Sequence, residues 1–134
     1  MKEIAAVKYL GHLRTEATHL ASGNRVTNDA PTDNKGRGEA FSPTDMVATA
    51  LATCMITVMG IRAQEEGWEF TATASVGKEM GSGPRRISGV KLRLQCQVSS
   101  GSIAAQVLEK VGKACPVAQS LSADLVQDVA FEWG

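Results

Sequence analysis

The side chains in this chain best suited to chemistry are three cysteines and two histidines, and their spacing narrows what they can do. Cys54, Cys96 and Cys115 are scattered, and His12 and His19 stand seven positions apart. A structural zinc site takes three or four ligands, usually with a close pair such as C-x2-C or H-x3-H, so metal binding is not expected. No G-x-S-x-G, G-x-x-x-x-G-K-[ST] or G-x-G-x-x-G is present, which sets aside serine hydrolase, phosphate-loop and dinucleotide chemistry. Gly36-Arg37-Gly38 reads as a flexible basic loop. Thiol chemistry is what remains.

The three thiols differ in setting. Cys54 falls in the middle of an apolar helical stripe, a position that by itself favours a core cysteine over a reactive one. Cys115 precedes Pro116, where one helix is broken and a short turn begins. Free amides and the helix dipole at such a place stabilise a thiolate, although a small residue filling a tight corner fits the position as well. Cys96 lies on the apolar face of a strand and reads as structural. An odd number of cysteines in a chain with no export signal argues against a disulfide framework, so free thiols are expected.

The elements that carry these residues follow from pattern. From Ile4 to Asn28, β-branched residues and turn signals at Gly11 and Ser22-Gly23-Asn24 predict a hairpin. Asn28 to Glu39 is an irregular loop. Ser42-Pro43-Thr44-Asp45 is a helix start with Ser42 as N-cap, Pro43 at the first helical position and Asp45 in the first turn. Val47, Leu51, Cys54, Val58 and Ile61 then form a stripe, and the helix is expected to run to about Glu66 and stop at Gly67. Small residues (Ala48, Ala50, Ala52, Gly60) over much of its remaining surface mark it as a central helix. Trp68 to Lys78 and Ile87 to Val98 alternate as two strands of a half-buried antiparallel sheet, joined by the turn Gly81-Ser82-Gly83-Pro84. A second helix from Ile103 to about Lys113, a short helical turn (Val117 to Leu121) and a last strand (Leu125 to Trp133) complete the chain.

With 134 residues, one domain with one core is expected over 1–134. Fourteen basic residues balance fourteen acidic ones, with no long run of either sign, so no nucleic-acid partner is expected. The first twenty residues carry charges every few positions, and the apolar run from Met46 to Ile61 is interrupted by Thr49, Thr53, Thr57 and Gly60. Neither a secretory signal nor a membrane span is expected, which predicts a cytoplasmic protein with no membrane partner.

Two segments carry a family resemblance. GEAFSPTDMVATALATCMITVMGIRAQ is followed, 61 residues after Cys54, by CPVAQSL and a final strand ending FEW. Together with the N-terminal YLGHLRTEATHL they resemble the OsmC/Ohr family of osmotically induced and organic-hydroperoxide-resistance proteins, over nearly the whole chain. The resemblance implies an α+β fold, with antiparallel sheets wrapped around long central helices in an intertwined homodimer. It implies a thiol peroxidase for organic hydroperoxides, with Cys54 as the attacking cysteine and Cys115 as the resolving one. It also implies an external dithiol reductant, often a lipoyl group, and no metal, haem or flavin cofactor. The family pairs the thiolate with an arginine from the N-terminal part and a glutamate near the helix start. By motif position the arginine is Arg14, with Arg25 and Arg37 as fallbacks. The hydroperoxide-resistance branch carries N-P-E where this chain has Ser42-Pro43-Thr44, and Thr44 cannot supply a carboxylate. Glu39 is the expected substitute, ahead of Asp45, which the helix cap can occupy. This departure points to a general OsmC-like branch. A non-catalytic protein that holds a small hydrophobic ligand near Cys54, or a redox sensor, is the alternative.

Overall fold

Turn chemistry organises the first forty residues. A computed structural model describes Met1–Gly134 and begins with strands β1 (Ala5–Gly11), β2 (Arg14–His19) and β3 (Arg25–Asp29), paired antiparallel in that order. The region read as one hairpin is thus a three-stranded meander, because the Ser22-Gly23-Asn24 signal opens a further strand. The β1–β2 turn is made by His12 and Leu13, both at positive φ (54° and 62°). Two-residue hairpin loops favour this sense because it matches the strand twist. Neither residue is one that announces such a turn, yet it fixes Arg14 as the first residue of β2. A short 3-10 turn at Thr32–Asn34 interrupts the loop that follows.

The long helix α1 (Pro43–Glu66) starts and stops where its end signals predict. The Asp45 amide donates to Ser42 Oγ at 3.0 Å and the Ser42 amide donates to Asp45 Oδ2 at 3.0 Å, a reciprocal cap that satisfies two otherwise orphaned donors. At the far end Gly67 takes φ of 74°, the left-handed conformation that closes helices.

Beyond α1 run β4 (Phe70–Gly81), β5 (Arg86–Val98), α2 (Gly101–Lys113), α3 (Pro116–Ser120) and β6 (Val126–Trp133). β4 and β5 form an antiparallel hairpin, whereas β6 lies parallel to β5, with Leu92 opposite Val129 and Cys96 opposite Trp133. A parallel neighbour needs a crossover connection, and α2 with α3 supplies it. The inner residues of β5, Val90, Leu92, Leu94 and Cys96, are buried with Leu51, Met55, Met59 and Ala63 of α1 and Leu108 of α2.

The buried face of α1 is Ala48, Leu51, Ala52, Met55, Met59 and Ala63. The stripe expected from the sequence is therefore rotated: Val47 and Ile61 are exposed, and Cys54 and Val58 are half-buried. The helix is apolar or small almost all round, so periodicity could not fix which side faces inward. In length and composition it also matches a membrane span, with mean hydropathy 1.6 over an eighteen-residue window of which 33% is buried. The threonines that interrupt its apolar run do not oppose this, because Thr53 and Thr57 donate to the helix carbonyls of Ala50 (3.1 Å) and Thr53 (2.7 Å). A core helix meets the same criteria, and Leu51, Met55 and Met59 are fully buried.

The chain forms two compact units, Met1–Met46 and Val47–Gly134, each with one three-stranded sheet.

Candidate functional site: a thiol pair and an ion pair

In the second unit, Cys54 and Cys115 come together. Cys54 is half-buried on α1, on the same side as the exposed Val47 and Ile61, each seven residues from it. Cys115 is 1% exposed and stands just before α3, with extended backbone (φ −62°, ψ 155°). Its backbone is held on both sides: its amide donates to Gly112 O at 3.1 Å, and its carbonyl accepts from the Gln119 amide at 3.1 Å. Its sulfur accepts from the Ala118 amide at 3.4 Å, and its thiol interacts with that of Cys54.

The electrostatics of Cys115 reverse one reading of the sequence. The amides of Ala118 and Val117 do favour its thiolate, as an N-cap position should, but loss of solvent outweighs them. Burial pushes the Cys115 thiol above its ordinary value, and the adjacent Cys54 sulfur adds to the rise. Cys96 is 3% exposed on the inner face of β5, and burial pushes its thiol up to about 11. It sits as a core residue among Leu92, Leu94 and Leu108. Cys54 and Cys115 are the two thiols that the fold brings to interact.

In the first unit, Arg14 and Asp29 are register partners on β2 and β3. The guanidinium donates from Nε to Oδ1 and from Nη2 to Oδ2, both at 2.8 Å, the bidentate geometry that orients an arginine most strongly. The Asp29 side chain is 1% exposed, that of Arg14 31%. Oδ2 also accepts the Glu39 amide at 3.0 Å. The guanidinium holds the Asp29 carboxyl below its usual range, and the Arg14 value is raised by the same contact.

The carboxylate on Arg14 is therefore Asp29, which the sequence reading did not single out. Glu39 touches this pair through its backbone, while its carboxylate lies 4.0 Å from Arg37. Asp45 is engaged in the helix cap, and Thr44 shares a hydroxyl contact with Ser42 at 3.1 Å. The signal for Asp29 was available only through the register of β3 against β2, which reading a single hairpin hid. A separate cleft on the outer side of the second sheet, lined by Thr73, Ser75, Arg93, Gln95 and Glu132, contains neither thiol.

Comparison with known proteins decides the family. The model of the family described as "OsmC-like protein" matches residues 36–129, a span from the loop before α1 into β6 that includes both cysteines. The chain belongs to the OsmC-like family. Among solved family structures, a Psychrobacter arcticus protein named for osmotic stress induction and a detoxification response is 40% identical, with a TM-score of 0.93 over 98% of this chain and 97% of that one. An organic hydroperoxide resistance protein from Legionella pneumophila shares the fold at 13% identity, with a TM-score of 0.71 over 98% of each chain. An organic hydroperoxide resistance protein from Bacillus subtilis does so at 16% identity, with a TM-score of 0.60 over 97% of each. No curated protein matches. The fold class expected from the resemblance, α+β with two sheets and a long helix, is the one this OsmC-like chain has.

Proposed function

We propose that this OsmC-like protein is a thiol-dependent peroxidase that reduces organic hydroperoxides. The observation that carries the reading is that Cys54 and Cys115, 61 residues apart in sequence, are interacting thiols in the fold. The Cys54 thiolate attacks the hydroperoxide oxygen distal to carbon. The O–O bond breaks, the alkoxide leaves with a proton as the alcohol, and Cys54 becomes a sulfenic acid. The protonated Cys115 then condenses with it, forming the S–S bond and releasing water, which spares Cys54 from irreversible oxidation. An external dithiol, such as a lipoyl group, takes up the disulfide and restores both thiols.

The half-buried site of Cys54 beside Val47 and Ile61 suits the organic part of a hydroperoxide. Arg14 is the arginine that the family resemblance assigns to the thiolate. Asp29 takes the orienting role expected of Glu39, and the Glu39 amide braces Asp29 in turn. The reading includes a homodimer: Val7 and Tyr9 of β1 are 69% and 64% exposed, an apolar strand face that a second copy would cover.

The test is consumption of cumene hydroperoxide and hydrogen peroxide with dithiothreitol or dihydrolipoamide as reductant. Wild type is expected to turn over, with preference for the organic hydroperoxide. Cys54→Ser is expected to consume almost none, and Cys115→Ser about one equivalent before Cys54 is over-oxidised. Turnover retained by Cys54→Ser, or one-time oxidation of the wild type without turnover, overturns the proposal.

A further inference from the structure

Gly112 occupies the last turn of α2 with no backbone need for glycine. Its φ lies outside the left-handed region, and at a helical position alanine is the better former. What the site lacks is room. A Cβ built there would stand 2.9 Å from Met59 Sδ and 3.0 Å from both Met59 Cγ and Met55 Cγ, closer than packed carbon atoms stand. Both methionines are fully buried on α1, and Met55 directly follows Cys54. On the other side, the Gly112 carbonyl accepts the amide of Cys115 at 3.1 Å. One residue therefore touches the helix that carries the first thiol and holds the backbone of the second.

We propose that Gly112 is a positioning residue for the disulfide between Cys54 and Cys115: its missing side chain lets the end of α2 close on Met55 and Met59 and brings Cys115 to Cys54. The inference deepens the peroxidase reading, since it concerns the step that resolves the sulfenic acid. It rests on that reading only for its role in turnover; the geometry of disulfide closure stands apart. Disulfides hold the S–S length and the torsion about it closely, so a shift of Cys115 relative to Cys54 that the side chains cannot absorb becomes strain that weakens the bond.

The experiment is a redox titration of the full chain against reduced and oxidised dithiothreitol, in which protein disulfide forms as the cyclic dithiothreitol disulfide is reduced to its dithiol. Four proteins are compared: wild type, Gly112→Ala, Met59→Ala and the double variant. Gly112→Ala is expected to lower the equilibrium constant for the protein disulfide about tenfold, a shift of about 30 mV. Met59→Ala is expected to return much of this in the double variant by reopening the space. A merely structural glycine would move the melting temperature and leave the potential where it was. If Gly112→Ala does not fold, the double variant against Met59→Ala alone gives the comparison, and the glycine substitution is then expected to be nearly silent; a full tenfold loss there overturns the proposal. So does an unchanged potential in folded Gly112→Ala, or a wild type that forms no Cys54–Cys115 disulfide at any dithiothreitol ratio. A wild type that forms the disulfide yet does not turn over hydroperoxide sinks the peroxidase reading and leaves Gly112 in place.

Discussion

The two sheets have the same number of strands and differ in what each strand buries. In the second, β5 alternates buried Val90, Leu92, Leu94 and Cys96 with polar Lys91, Arg93, Gln95 and Gln97, so one face is core and the other is wet. In the first, β1 is exposed from Ala5 to Leu10 on both faces, although Val7 and Tyr9 are as apolar as anything on β5. The second sheet finishes its core within its own unit and holds the thiol pair there. The first holds its functional pair, Arg14 with Asp29, by hydrogen bonds and by the burial of one carboxylate. Packing inside the chain positions the sulfurs, and charge positions the guanidinium.

The sharpest way to break this contrast is to place a charge on the bare sheet. With a second copy covering β1, Val7→Asp is expected to dissociate the protein and, as in obligate dimers, to cost the folded state with it. Sedimentation of a folded, unchanged species would show that the apolar face of β1 is simply solvated. The second sheet is expected to respond to truncation from within. Leu92→Ala should destabilise by about 2–5 kcal/mol in a denaturant titration, while Ile103→Ala, at a residue 75% exposed, should stay within about 0.5 kcal/mol.

Charge should decide matters at the other pair. The Asp29 carboxyl is held below its ordinary value of 3.8, so its contribution is present above that pH and is lost as pH falls through the lowered value. Asp29→Asn is expected to flatten the acid limb of stability. On the proposed reading, in which Arg14 serves the thiolate, it should also slow alkylation of Cys54 at neutral pH. An alkylation profile identical to wild type would remove Asp29 from the mechanism. The smallest effect is absent at neutral pH. Cys96 keeps its proton up to about pH 11 when folded and loses it near 9.0 when unfolded, so stability should fall with rising pH between those values, by at most about 1.4 kcal/mol per unit. Cys96→Ala should reduce that slope.

Local signals were readable in the sequence to within a few residues. Ser42, Pro43 and Asp45 announce the start of α1 and Gly67 its end, and the alternation about Leu92 announces β5 as a half-buried strand. What needed the fold was relative placement. The α1 stripe was misread by rotation because alanines and apolar residues surround the helix, so burial is set by which neighbours arrive. The turn at His12 and Leu13 lacks the glycine or asparagine that marks positive φ, so Arg14 could be assigned by resemblance while its partner could not. The parallel sense of β6 is invisible in its own alternation, which any strand orientation would share. Burial of Cys115 was likewise out of reach: its helix-end position is local, but the solvent removed from it depends on α1.

β6 also bears on which sulfurs find one another when the chain first folds. Three cysteines allow three pairings, and an unfolded chain has no strong reason to choose among them. The contact of β6 with β5 closes a crossover that contains Cys115, and a closure over that many residues comes at an entropic cost that local hairpins avoid. Until Trp133 lies opposite Cys96, that strand edge is open and its thiol can compete for an oxidant or for either of the other two. Docking of the last strand thus acts as a proofreading event. It withdraws the Cys96 sulfur into the core and leaves Cys54 and Cys115 as interacting neighbours.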